Sequence, residues 1–191
     1  MNRRDALSRV ALILGGTVVG ANVILEGCKP ADKKATGDAA NFTPDDVAYL
    51  DEIAETIIPA TDTPGAKAAK VGAFMTVMVK DCYEEKDQKT FRDGMDKISS
   101  EARKKFDKSF MELSADERHQ LLVVLDNEQK DYGKNKKKDG PNHYFRLMKE
   151  LTLLGYFTSE IGCNQALRYV ETPGKYEGCI PYKKGDKAWA I

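Results

Sequence analysis

Cysteine and histidine are the side chains best suited to covalent, redox or metal chemistry, and this 191-residue chain holds four of the first and two of the second. The histidines, His119 and His143, stand far apart and make no HExxH pair that would bring two imidazoles to one helix face around a metal. His143 precedes a strongly apolar helical pattern and reads as a cap or surface residue rather than a ligand. No CxxCH occurs, so a c-type haem has no usual point of attachment. Cys28 belongs to an N-terminal signal described below, which leaves Cys82, Cys163 and Cys179, one short of the thiolate set of an iron–sulfur cluster. GxGxxG, P-loop and GxSxG patterns are missing beyond that signal, and Gly15, Gly16 and Gly20 lie inside it without a strand-to-helix context. Glu160 and Arg168 are two helical turns apart and suit an ion-pair network rather than a reaction. The sequence therefore predicts no catalytic, cofactor-binding or metal-binding residue in this chain. In an oxidising compartment three cysteines permit one disulfide and a spare thiol, and spacing leaves Cys82–Cys179, Cys163–Cys179 and Cys82–Cys163 all open.

The N-terminus supplies an address. Arg3, Arg4 and Arg9 make the first segment basic, Val10 to Ile24 is apolar and uncharged, and Leu25-Glu26-Gly27-Cys28 closes it. That apolar run is short of the roughly 20 residues of a spanning helix and fits the core of an export signal. Paired arginines ahead of it predict the twin-arginine route, which carries folded cargo. The Leu-x-Gly-Cys ending resembles a lipobox, so residues 1–27 are expected to be removed and Cys28 acylated. Residues 28–42 then form a tether rich in Ala, Lys and Asp, without an apolar period. Residues 43–191 are expected to make one folded domain.

Thirty basic and thirty acidic residues cancel, which argues against a nucleic-acid binder driven by phosphate contacts. A mean hydropathy of −0.51 excludes a polytopic membrane protein.

The domain reads as helical throughout, an irregular antiparallel bundle in which no strand has a convincing case. Thr43 is placed to cap a first helix, with Pro44 at its first position, Asp45 and Asp46 at its positive end, and Phe42 able to staple onto Val47. Its stripe is Val47, Leu50, Ile53, Ala54, Ile57 and Ile58, and Pro59 ends it. Ala60 to Ala66 (ATDTPGA) is a turn in which Asp62 or Thr63 could cap a second helix, with Val71, Phe74, Met75, Met78 and Cys82 on one side. At that spacing the methionines are core filler rather than soft metal ligands. A third helix is expected over Glu85 to Phe106 with Phe91, Met95 and Ile98 inward. Ser114-x-x-Glu117 is a capping box for a fourth, burying part of Leu121 to Leu125. A basic loop, Lys134 to Gly140, leads to the long C-terminal helix. There Tyr144, Leu147, Met148, Leu151, Leu154, Phe157 and Ile161 recur at helical spacing. Gly155 and Gly162 predict a kink or the close approach of another chain segment, since glycine costs roughly 1 kcal/mol against alanine in a helix. Pro173-Gly174 then ends regular structure.

GYFTSEIG, the ALRY that follows it, and PGKYEGCIPY resemble the small subunit (subunit 3) of the gluconate 2-dehydrogenase family. The IIP of the first helix with its following turn is another recurring signature, and the likeness runs from about Thr43 to Tyr182. The resemblance implies an accessory subunit of a large FAD-dependent enzyme that oxidises a sugar, a glucoside or a sugar acid such as gluconate. It further implies electron transfer from that enzyme to a cytochrome c subunit carrying haem, or to another acceptor. It favours Cys82 and Cys179 as a disulfide that pins the irregular tail. On this footing the chain would bind and stabilise the flavoprotein and lend it an export signal through Arg3 and Arg4. It would be held at the membrane, on the periplasmic side, by the lipid on Cys28. Tyr156, Phe157, Glu160 and Tyr176 are the expected contact residues, aromatics supplying most of the area. The rival class is an independent periplasmic lipoprotein acting as a scaffold or small-ligand module. A third, in which this chain is itself the oxidoreductase, lacks any cofactor site in the sequence.

Overall fold

Thr43 opens the first helix as its sequence requires. Its Oγ1 accepts the Asp46 N–H at 3.2 Å, while the Asp46 carboxylate accepts the Thr43 N–H at 2.8 Å, a reciprocal cap. The computed structural model describes residues 40–137, 140–172, 174–175 and 177–190. Arg3, Arg4, Cys28, Tyr176 and nearly all of the tether lie outside the described residues. Helix α1 spans Pro44–Ile57, α2 Val71–Cys82 and α3 Glu85–Phe106. A 3-10 turn at Phe110–Glu112 leads to α4, Ala115–Asn135, and then to α5, Tyr144–Phe157. Ser114 and Glu117 form the expected capping box of α4. The fold is mostly helical, as expected.

Helix α5 touches all four other helices, so the bundle is assembled around it. The core beneath it draws Leu50 and Ile53 from α1, Met75 and Val79 from α2, Phe91 and Ile98 from α3, and Leu121 and Leu125 from α4. Polar ties fix the outer layer. Arg118 of α4 pairs with Glu52 of α1 and donates to the Phe110 and Met111 carbonyls at 3.2 and 2.8 Å. Lys149 of α5 and Lys130 share Asp126 of α4, each at 2.6 Å. Burial opposes ionisation of Asp126, but the two ammonium groups outweigh it and bring its pKa down to about 2.

Several expectations need correction. The C-terminal helix stops at Phe157 instead of running to Ile161: the backbone tightens there, the Ser159 N–H donating to the Tyr156 carbonyl at 3.1 Å, and the hydroxyls of Thr158 and Ser159 bond to the carbonyls of Leu154 and Tyr156, each at 2.7 Å. A π-helical turn, Gly162–Ala166, follows, closed by the Leu167 N–H on the Gly162 carbonyl at 2.8 Å. Gly162 is required there: a Cβ would lie 1.9 Å from the Tyr156 carbonyl oxygen. Gly155 likewise admits the Phe74 ring of α2, whose Cδ1 would be 2.6 Å from an added Cβ.

A strand pair exists where none was expected: β1, Arg168–Tyr169, runs parallel to β2, Trp189–Ala190. The tail is not pinned by a disulfide; Cys82, Cys163 and Cys179 are all free thiols. Cys82 does not join the buried side of α2, where Val79 sits instead. It lies exposed at the helix end with its thiol 3.9 Å from the Met78 sulfur. Backbone pairing between β1 and β2 holds the tail in place of that bridge. Neither Asp62 nor Thr63 caps α2, whose cap position is Lys70 in the left-handed region at φ 55°. Phe42 packs edge-on against Phe91, with the Arg92 guanidinium 4.5 Å from its ring centre.

Candidate partner-binding surface

Two sequence signatures meet in space. The turn after α1 is drawn tight by Glu55, whose carboxylate accepts the N–H groups of Ala60 and Lys67, each at 2.9 Å. From the far end of the chain Tyr156 of α5 donates its hydroxyl to the Pro64 carbonyl at 2.7 Å. The turn is therefore a braced corner whose crest, Pro59 to Asp62, is exposed. Tyr156 itself is 2% exposed. It was expected at the partner interface and instead belongs to the core, since a phenol that spans from helix to turn has no face left for another protein.

Phe157 and Glu160 do reach the surface. Phe157 is joined by Leu153 and Leu154, the three being 38%, 40% and 46% exposed. At roughly 100° per residue, Phe157 lies about 220° around α5 from the buried Tyr144, on the outer side. Leu154, counted above in the buried stripe, shares that outer side. Arg146 and Glu150, paired at 2.7 Å, occupy the same side one and two turns earlier. The result is an apolar face at the C-terminal half of α5, bounded by an ion pair. Sequence reasoning missed Leu153, which the apolar pattern left outside the buried stripe and which the structure exposes beside Leu154. Tyr176 lies outside the described residues.

His143 is the cap that its position suggested: its Nδ1 accepts the Phe145 N–H at 3.3 Å. The rings of Tyr132 and Tyr144 flank it, and Nε2 stands 3.6 Å from a Glu128 carboxylate oxygen. Burial pushes its pKa below the usual value; Glu128 pulls it up and Lys97 pushes it down. A depressed histidine is protonated more readily in the unfolded chain. Its contribution is present above the ordinary pKa of about 6.5 and is lost as pH falls through the folded value. A protonated Nδ1 can no longer accept, so about 1 kcal/mol of capping is expected to go. Melting curves between pH 7.5 and 5 should show that loss in the wild type and a flatter profile in His143→Asn, whose cap does not titrate. Superimposable profiles would remove His143 as the cause.

Among the described residues no group of three or more His, Cys, Asp or Glu side chains is placed to hold a metal ion. No described helix is long and apolar enough to cross a membrane.

The helical bundle thus presents an apolar face on α5 and a braced, exposed corner after α1. The chain belongs to the gluconate 2-dehydrogenase subunit 3 family, whose model matches residues 44–174. That span takes in α1, the braced turn and all of α5. Such a family implies a larger partner in a multi-subunit complex. No curated protein and no solved structure matches the chain.

Proposed function

We propose that this chain is the non-catalytic small subunit of a periplasmic, FAD-dependent dehydrogenase complex oxidising a sugar, a glucoside or a sugar acid such as gluconate. It binds the large flavoprotein, stabilises it and carries it through export. Family membership over residues 44–174 is the observation that carries this role. The outer face of α5, with Leu153, Leu154 and Phe157, is the docking surface that best fits it. Arg3 and Arg4 supply the twin-arginine signal, which suits a cargo that must fold around FAD before transport. Acylated Cys28 tethers the assembly to the membrane, and a cytochrome c subunit with haem is a fitting electron acceptor.

The direct test is affinity purification of the full-length native lipoprotein, with absorption spectra taken of the eluate. A large polypeptide showing a flavin spectrum, with haem bands if the cytochrome is retained, is the expected result. A colourless monomer that leaves dehydrogenase activity in the flow-through would overturn the assignment.

A further inference from the structure

The hydrophobic core, with the partly buried hydrophobic side chains packed against it, ends at Ala166 among the described residues. Beyond it the chain continues, and from Glu171 to Trp189 every described residue is exposed. Fixing a backbone costs roughly 1–2 kcal/mol per residue, and this segment recovers little of that by burying its own surface. It nevertheless has a defined base. The Arg168 N–H donates to the Ala188 carbonyl at 2.8 Å and the Val170 N–H to the Ala190 carbonyl at 3.1 Å. The Arg168 guanidinium stacks 3.9 Å from the centre of the Trp189 ring and donates to the Lys187 carbonyl at 3.2 Å. A cleft opens at this base, lined in part by Asn164, Tyr169 and Asp186.

What the arm displays is unlike an ordinary solvated tail. Tyr169, Ile180, Tyr182 and Trp189 are 47%, 43%, 76% and 49% exposed. Around them stand Lys183, Lys184 and Lys187 against one acid, Asp186, which is held in a turn by the Lys183 N–H at 2.9 Å. Lys175 and Glu177 pair with each other at 2.6 Å, so the surplus positive charge sits at the Lys183–Lys187 turn. Trp, Tyr and Arg are the types that dominate binding energy at protein interfaces. At half of the roughly 150–250 Å² that a buried aromatic contributes, Tyr169, Tyr182 and Trp189 would cover about a third of the roughly 800 Å² one partner gives to a standard interface.

We propose that the β1–β2 base together with residues 177–190 forms an arm that packs against an acid-rimmed apolar surface of the large flavoprotein subunit, with Trp189 stacked on Arg168 as its anchor and the Lys183–Lys187 turn as its electrostatic rim. This rests on the role proposed above and extends the docking surface beyond the helix face. The arm follows α5 through the turn at Gly162, so residues 158–167 alone join the apolar face to the arm. Lysines beside Trp and Tyr also characterise lipid-facing segments. The arm is not a helix with an apolar side, its large hydrophobics follow no period, and Glu171, Glu177 and Asp186 dilute its charge, all of which favour a protein partner.

The test uses the full-length chain co-expressed with its flavoprotein. Trp189→Ala is expected to weaken flavoprotein binding about thirtyfold, the size of a hot-spot truncation. Lys183→Glu, Lys184→Glu and Lys187→Glu together should lower the association rate and reverse its salt dependence. Helical content and melting temperature should stay at wild-type values in both, because the core ends before the arm. Flavoprotein binding within twofold of wild type in both variants would overturn the arm while leaving the subunit role intact. A wild-type chain that retains no flavoprotein would overturn both. Variants that keep the flavoprotein but lose binding to phosphatidylglycerol vesicles would assign the arm to lipid and overturn the proposal.

Discussion

Changing Arg3 and Arg4 together to lysine is expected to drop periplasmic dehydrogenase activity more than tenfold, while the flavoprotein accumulates, FAD-loaded, in the cytoplasm. Lysine keeps the charge but not the planar guanidinium fork, so the paired arginines are not replaced by equivalent chemistry. The expected loss exceeds what the removal of one subunit from a soluble enzyme would cause, because in the proposed role one signal serves two polypeptides. Cell fractionation with antibodies to both chains, combined with dye-linked activity on intact cells, measures it. Both chains should be found in the cytoplasm, and the cytoplasmic extract should remain active. A flavoprotein found in the periplasm of the double variant, or of cells lacking this gene, would end the carrier role. Retention of this chain alone in the cytoplasm would have the same consequence.

The second large effect separates two neighbouring aromatics that sequence placed in one group. Tyr156→Ala deletes a ring that is 2% exposed and leaves the Pro64 carbonyl without its donor. Losses of about 3–5 kcal/mol are typical for such truncations, and at about 2–4 °C per kcal/mol for a chain this size the melting temperature should fall by about 10 °C. Tyr156→Phe keeps the ring and loses one hydrogen bond, worth about 1 kcal/mol. Phe157→Ala should leave the melting temperature within about 2 °C, since the ring is 38% exposed, and should reduce capture of the flavoprotein. The reverse pattern, a stable Tyr156→Ala that no longer binds and a Phe157→Ala that unfolds, would refute the assignment of the outer face of α5. Thermal melting and pull-down on the same preparations decide it.

Local signals were legible where the chain needs only its neighbours. The capping boxes at Thr43 and Ser114, the full extent of Glu85–Phe106 and the inward Phe91, Met95 and Ile98 follow from side chains within a few residues of one another. Family membership was legible as well, because GYFTSEIG and the Ala60–Ala66 turn are contiguous strings. Gly155 and Gly162 announced tight places without saying what would fill them.

Tertiary structure decided the rest. Periodicity placed Leu154 and Phe157 in the same stripe as Tyr144, yet an actual helix turns them outward, and only the positions of the neighbouring helices say which arc of α5 is covered. Tyr156 became a brace instead of a contact because its hydroxyl finds a carbonyl some ninety residues away in sequence. The Arg168–Trp189 pairing holds the tail where the family resemblance favoured a Cys82–Cys179 bridge: likeness of strings does not fix the separation of two thiols in space, whereas backbone groups pair wherever the fold brings them together. Helix starts, helix lengths and family identity are written in near-neighbour chemistry and so belong to the sequence. Which faces are buried, what holds the tail and which aromatics remain free for a partner depend on contacts between distant residues, and these exist only once the helices have packed.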